Sequence, residues 1–254
     1  MNQNPRLIIS LTSYGRRLST LHICLNSLLA QTKKADRIVV YFYQDEIEKL
    51  TPQLKALEKE GVEFRFVDLD LRPHKKYYYA MQEYPDDIIV TVDDDVIYHQ
   101  DMLKELYRTH QKFPRAIVTG RAHEITFSED GTIRPYDDWK WEVDQKNQPS
   151  MKLLATGAGG ILYPPNLLNL DLLLNLKYIR RYITVDDLWL KAVEVLDGIP
   201  TVVCDSKIEK LRLGIPNTQI QGLFNKNVGE NENDKYLKDL EKEFFLNKKI
   251  NAYS

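Results

Sequence analysis

The stretch "IIVTVDDDVIY", Ile88 to Tyr98, runs five apolar or β-branched residues straight into three carboxylates, Asp93, Asp94 and Asp95. Adjacent like charges raise one another's pKa unless a cation or hydrogen-bond donor compensates. A buried strand that ends on such a triplet therefore asks for a positive partner. In strand geometry Asp93 and Asp95 share one side and Asp94 takes the other, so the outer pair could converge on one ligand.

The segments upstream supply the setting. "RLIISLTSY" (6–14) is a β-rich run, and "STLHICLNSLLAQ" (19–31) carries Leu21, Cys24, Leu25, Leu28 and Leu29 at helical spacing behind Ser19 or Thr20 as cap. "DRIVVYFY" (36–43) reads as a second strand, "TPQLKALEKEG" (51–61) as a helix with Pro52 in its first turn and Gly61 at its end, and "VEFRFVDL" (62–69) as a third strand. "KKYYYAMQEYP" (75–85) is a short helix before the strand "DIIVTV" (87–92). Strands alternating with helices predict an α/β fold with a mainly parallel central sheet flanked by helices. In such open sheets ligands bind outside the carboxyl ends of the strands, where the triplet falls.

Downstream, "DMLKELYRTHQKF" (101–113) is helical with Met102, Leu103, Leu106 and Tyr107 inward. Residues 121–151 are polar, Trp-bearing and without period, which predicts a long functional loop. "LLATGAGGILYPP" (153–165) and "VDDLWLKAVEVL" (185–196) follow, and "NDKYLKDLEKEFFLNKK" (233–249) is a charged helix with Tyr236, Leu237, Leu240 and Phe244 on one face. The expected division is one domain over 1–225, with halves at about 1–98 and about 99–225, and a charged helical extension over 226–254.

Composition narrows the function classes. Lysine and arginine number 35 against 37 acidic residues, which lacks the basic footprint of a nucleic-acid binder. Cys24 and Cys204 have no metal-ligand spacing and sit in apolar surroundings, as buried thiols of a reducing compartment do. The first residues have no basic and apolar leader pattern, and no run approaches the length of a membrane span, so the expectation is a cytoplasmic protein with membrane association limited to a surface patch.

A hard divalent ion suits paired carboxylates, and Mg2+ or Mn2+ keeps positions open for substrate phosphates. The competing reading is a solvated turn that caps the following helix. Taken together, the strand and helix order, "TVDDDVIY", the small-residue loop "TGAGGILYPP" and "VDDLWLK" resemble a GT-A glycosyltransferase of the family 2 type over roughly residues 6–200. The resemblance implies a Rossmann-like fold, a nucleotide-diphosphate-sugar donor (UDP-sugar favoured), a metal on the DxD carboxylates and hexosyl transfer (EC 2.4) to an acceptor hydroxyl. It makes Asp95 the metal ligand and Asp93 the residue that meets the ribose and often the metal, with Asp94 beside them. "LTSYGRR" stands where the family's P-T-Y-N-R stretch meets the nucleotide, which implicates Thr12, Ser13, Tyr14 and Arg16 or Arg17, although the proline is missing. For the base, Asp45 or Glu46 follows the second strand, and Asp68 or Asp70 the third. Lys75 and Lys76 fall where the family often has a basic residue near base and phosphates. Asp186 and Asp187 resemble its Glu-Asp motif, with Asp187 as general base of an inverting reaction. Set against that role, a helix N-terminus stabilises a carboxylate and is expected to lower its pKa.

Gly157 to Gly160 allow close backbone approach beside the sugar or form an ordinary turn. Trp139 and Trp141 either stack on a sugar or fold their loop onto the core, whereas Trp189 reads as core. Asp205 is a candidate third metal ligand. The implied partners are the donor and a saccharide, glycopeptide or lipid-linked acceptor, in a setting of bacterial surface polysaccharide or glycoconjugate synthesis, with a peripheral membrane contact if the acceptor is lipid-linked. The C-terminal helix reads first as a strip packed on the domain. Three other classes compete. A phosphatase of the aspartyl-phosphate kind would put its DxD after the first strand, whereas this triplet follows the fourth. A sugar-nucleotide pyrophosphorylase-like nucleotidyltransferase should carry a Gly-rich, Arg-bearing loop after the first strand, and "LTSYGRRLST" has only Gly15. A non-catalytic carbohydrate or metal-binding module would not need this ordered set of motifs.

Overall fold

The computed structural model describes residues 5–204, 212–216, 218 and 232–252. Its centre is a seven-stranded sheet built from β1 (Leu7–Thr12), β2 (Arg37–Tyr43), β3 (Val62–Val67), β4 (Ile88–Thr91), β6 (Ile117–Thr119), β9 (Ile161–Tyr163) and β10 (Thr201–Val203). Their spatial order is β10-β6-β9-β4-β1-β2-β3. All neighbours run parallel except β9, which is antiparallel to both β4 and β6. Two small antiparallel pairs stand above this sheet: β5 (Val96–Ile97) with β11 (Leu213–Gly214), and β7 (Ala122–Glu124) with β8 (Leu153–Ala155).

Strand alternation divides the apolar residues between two cores. Ile8, Val39 and Tyr41 face α3 (Lys75–Glu83) and α7 (Asp186–Leu196), whereas Ile9, Val40 and Phe42 face α1 (Leu21–Leu29), α2 (Pro52–Leu57) and α4 (Met102–Lys112). The local signals act as their chemistry requires. Thr51 accepts a hydrogen bond from the Leu54 N–H at 3.3 Å, Pro52 opens α2, and Gly61 at φ 97° ends the turn before β3. The run after β9 forms two short helices, α5 (Leu170–Leu173) and α6 (Leu176–Arg181), and the sequence pattern had not separated them.

From β1 the chain winds outward to β3, then returns to place β4 on the other side of β1. That reversal opens a crevice at the carboxyl ends of β1 and β4, the switch point where sheets of this kind bind ligands. The acidic triplet lies there in a tight turn, because β4 stops at Thr91. Strand alternation therefore does not govern the three carboxylates.

At the C-terminus, α8 (Glu232–Phe244) and α9 (Leu246–Ala252) pack on α7. Leu240, Leu246 and Ile250 are buried in the same core as Trp189, and Phe244 lies against Tyr178 and Trp189. The apolar stripe of α8 is therefore occupied by the domain itself, and a membrane contact would need another surface. No helix among the described residues is long and apolar enough to cross a membrane.

Candidate active site

The crevice encloses about 490 Å³ and is lined from both sides of the switch point. After β1, the chain makes a 3-10 turn over Gly15–Ser19 that sends Arg17 towards the triplet. Its guanidinium lies 2.5 Å from Asp94 Oδ1 and 3.1 Å from Asp95 Oδ2. Asp93 turns the other way, 3.0 Å from the Lys76 ammonium. Lys76 also stands 2.9 Å from Asp186 Oδ2, at the start of α7. One lysine, with a side chain 5% exposed, thus bridges the acid that follows β4 and the acid that opens α7.

Several contacts fix this bridge. Ser10 on β1 donates to the Lys76 carbonyl at 2.5 Å. His74 is buried between the Tyr77 hydroxyl at 2.6 Å and the Tyr182 carbonyl at 2.9 Å, which ties the start of α3 to the approach to α7. The carbonyl can only accept, so Nε2 carries the proton and Nδ1 accepts from Tyr77. Burial holds the His74 pKa down to about 4, so the ring is neutral near pH 7. Further along, α7 is buried for most of its length, and Trp189 stacks on Tyr178 and Tyr182 while its indole N–H donates to the Leu173 carbonyl at 3.0 Å. Asp187 therefore projects from a rigid element.

Burial and charge set the state of each acid. Burial would strip Lys76 of its proton, but Asp186 and then Asp93 outweigh that effect and hold the ammonium charged. The same contact overcomes burial at Asp186 and keeps its pKa below the ordinary value. Asp187 is pushed well up, first by burial and then by the charge of Asp186. At Asp187 desolvation and a neighbouring anion act against the lowering expected of a helix terminus. Asp95 is raised to about 6, by burial first and Asp93 second, with Arg17 opposing both. Burial also lifts Asp94, against the pull of Arg17.

The far wall carries Gly157 and Ala158, Thr156, Tyr136, Arg121, His123 and Arg212. The Gly157 N–H reaches Asp187 Oδ2 at 3.4 Å. A Cβ at Gly157 would lie 2.3 Å from Asp93 Oδ1, so only glycine lets the loop close on that carboxylate. Tyr98 joins the two segments, its hydroxyl accepting from the Asp93 N–H at 2.8 Å and donating to the Gly157 carbonyl at 3.3 Å. Substituting Gly157→Ala should displace Asp93 and weaken the binding of any ligand that this carboxylate holds by about ten-fold or more, a loss of about 1.4 kcal/mol. Binding calorimetry reads this directly, and an unchanged affinity would show that the Asp93 position is dispensable.

Sequence-derived candidates divide at two turns. Thr12, Tyr14, Lys75, Lys76, Asp93, Asp94, Asp95, Asp186 and Asp187 all line the cavity. Ser13 is buried and absent from that lining. Arg16 is exposed, and Arg17 takes the inward place; likewise Asp45 is exposed while buried Glu46 lines the cavity and accepts from the Gly15 N–H at 3.1 Å. Both pairs sit on 3-10 turns, where adjacent residues point about 120° apart, so only one of each can face inward. Asp70 also lines the cavity, paired with Lys75, which leaves Lys75 already engaged by a carboxylate. Trp139 is buried, donating to the Arg134 carbonyl at 2.9 Å, and Trp141 packs on His123; Tyr136 is the aromatic of that segment that lines the cavity. Arg121, Tyr136, Arg212 and Asn233 were not singled out from sequence. Arg121 stands two residues beyond the end of β6, so the strand-end rule was the available signal for it.

The sequence profile of glycosyl transferase family 2 matches residues 9–160, from β1 through the triplet to the Gly157–Gly160 loop. The chain belongs to that family. This family 2 transferase is therefore an enzyme of class EC 2.4, with the GT-A fold that membership implies and a nucleotide-sugar donor and an acceptor as substrates. A comparison with curated proteins gave no match.

Family 2 enzymes typically use a divalent metal, and the charges in the transferase's cavity fit one. The cavity lining carries seven carboxylates, Glu46, Asp70, Asp93, Asp94, Asp95, Asp186 and Asp187, and six cations, Arg17, Arg72, Lys75, Lys76, Arg121 and Arg212; at its acidic end Arg17 and Lys76 pair with Asp93, Asp94, Asp95 and Asp186. A diphosphate would add further negative charge to that set. Among the described residues no three His, Cys, Asp or Glu side chains are arranged to hold a metal by themselves. A metal here would take one or two carboxylates and complete its shell with water and donor phosphates. Asp205 lies outside the described residues.

Proposed function

We propose that this transferase moves a hexose from a UDP-sugar to an acceptor hydroxyl with inversion, using Mn2+ or Mg2+ held by Asp95 and Asp93. The observation that carries this reading is the Lys76 bridge, which sets the acidic turn after β4 and the Asp186–Asp187 pair on one cavity. Residues at the ends of β1, β2 and β3 form the donor side, with Thr12, Tyr14, Arg17 and Glu46 around the nucleotide. The metal, when bound, neutralises charge that builds on the departing diphosphate. Asp187 takes the proton of the attacking hydroxyl, and its raised pKa suits a base that must hold that proton through the transition state. Asp186, kept ionised by Lys76, holds the lysine in place without competing for the proton. The Gly157 N–H orients Asp187. The nucleotide half over about 1–98 and the acceptor half over about 99–225 meet across this cavity, and residues 226–254 add Asn233 to its wall. A saccharide, glycopeptide or lipid-linked acceptor in bacterial surface glycan synthesis is the setting we favour, at a cytoplasmic or membrane-adjacent site.

The test is UDP titration with and without Mn2+, at pH 7.5 and pH 5.0, on wild type and Asp95→Asn. An Asp95 carboxyl at about 6 is mainly protonated at pH 5.0 and must lose its proton to hold a cation. Metal-dependent affinity should therefore be high at pH 7.5, fall as pH drops through 6, and be absent at both values in Asp95→Asn. Linkage gives the matching sign for stability. Because the folded pKa lies above the unfolded one, this group's contribution to stability is present below about pH 4 and lost as pH rises through 6. Mn2+ should then raise the melting temperature more at pH 7.5 than at pH 5.0. UDP binding that ignores both metal and the Asp95 substitution would remove the triplet from the donor site.

A further inference from the structure

The cavity lining holds a second charged group that the transfer chemistry above does not use. Arg121, two residues beyond the end of β6, places Nε 2.8 Å from Glu142 Oε1, and Arg212 places Nη2 2.6 Å from the same oxygen. Both guanidiniums line the cavity, with side chains only 15% and 20% exposed. Glu142 is positioned by its backbone. It adopts φ 52°, in the left-handed region that non-glycine residues rarely occupy, and its N–H donates to His123 Nδ1 at 3.0 Å. His123 adds no charge, since burial first and Arg121 second hold its pKa down to about 3. Two guanidiniums thus share one carboxylate in this group, which leaves a surplus positive charge facing the cavity.

The group links two segments: Arg212 directly precedes β11, beyond which the Ile215 N–H donates to the Asp95 carbonyl at 2.8 Å, and Arg121 reaches towards the base. Arg121 Nη1 donates to Thr156 Oγ1 at 3.0 Å, and Thr156 directly precedes Gly157, whose N–H reaches Asp187. The donor side has its own cations in Arg17 and Lys76, together with the metal that its charge balance asks for. We propose that the acceptor carries an acidic group, a carboxylate or a phosphate, which Arg121 and Arg212 grip while a neighbouring hydroxyl is presented to Asp187. The planar forks of two arginines suit bidentate recognition of either anion. This inference rests on the transferase reading of Asp187 and specifies the acceptor class for it.

Saturation-transfer NMR on the full chain with Mg2+ and UDP tests the assignment. The probes are methyl gluco-, galacto- and mannopyranosides, each as the neutral sugar, the 6-carboxylate and the 6-phosphate. At least one acidic probe should bind about ten-fold more tightly than its neutral counterpart, the scale of a charge-assisted pair. The carboxylate and phosphate arms identify which anion is preferred. Arg121→Gln and Arg212→Gln should abolish the preference, Arg121→Lys should keep part of it, and UDP affinity should stay within two-fold throughout. Circular dichroism checks that each variant folds. UDP binding without any preference for acidic probes would overturn the proposal, as would a preference that survives in both glutamine variants. A ten-fold loss of UDP affinity in those variants would reassign the arginines to the donor diphosphate and equally overturn it. Failure of the wild type to bind UDP at all would instead strike at the donor-site reading itself.

Discussion

Asp187→Asn should lower sugar transfer by about 100- to 10,000-fold, the range that one positioned general base contributes. Asparagine keeps the shape and can still accept from the Gly157 N–H, so the loop beside Asp93 is retained. What disappears is the proton acceptor, held on a helix buried along most of its length. The substitution also removes a buried carboxyl whose pKa is raised by burial and by Asp186, so the folded protein should be no less stable. The expected signature is therefore a collapsed kcat with metal-dependent UDP affinity preserved. Asp186→Asn provides the contrast, because Asp186 is engaged by Lys76 and should affect stability and placement more than proton transfer. If Asp187→Asn kept wild-type turnover while Asp186→Asn lost it, the two roles would have to be exchanged.

Lys76→Met should have the largest effect on the fold. It leaves Asp93 and buried Asp186 facing each other without their common cation, and removing one member of a buried ionic group costs roughly 3–5 kcal/mol. Chemical denaturation would read that loss. The cost belongs to uncompensated carboxylates, so the double variant Lys76→Met with Asp186→Asn should recover a substantial part of it. Non-additivity between the two sites is the diagnostic, and a double-mutant cycle measures it. If Lys76 served only as a phosphate contact, Lys76→Met would leave stability unchanged and weaken UDP binding alone.

The parallel strands and their helices were legible because each carries its own local signal, such as the Thr51, Pro52 and Gly61 punctuation of α2. The acidic residues that line the cavity stood out as well, since an apolar strand that runs into three carboxylates calls for a positive partner or a solvated capping turn. What the sequence withheld was partnership. Strand alternation set Asp93 on the side of Asp95, yet the strand ends two residues before the triplet, and the contact of Asp93 with Lys76 is one that no alternation records. Choosing Arg17 over Arg16, or Glu46 over Asp45, depends on the rotation of a short turn that no periodicity records. The basic group at Arg121, Glu142 and Arg212 is assembled from three segments up to 91 positions apart, and local pattern carries no information on such meetings.

The antiparallel strand β9 hydrogen-bonds to β4 on one side and β6 on the other. It stitches the half that holds the acidic turn to the half that carries Arg121, and its own N-terminal end leads back to the Gly157 loop. Rotating one half against the other would break a ladder in the middle of the sheet. The two walls of the cavity are therefore joined through one continuous ladder, and their spacing is set by the width of a single strand, β9.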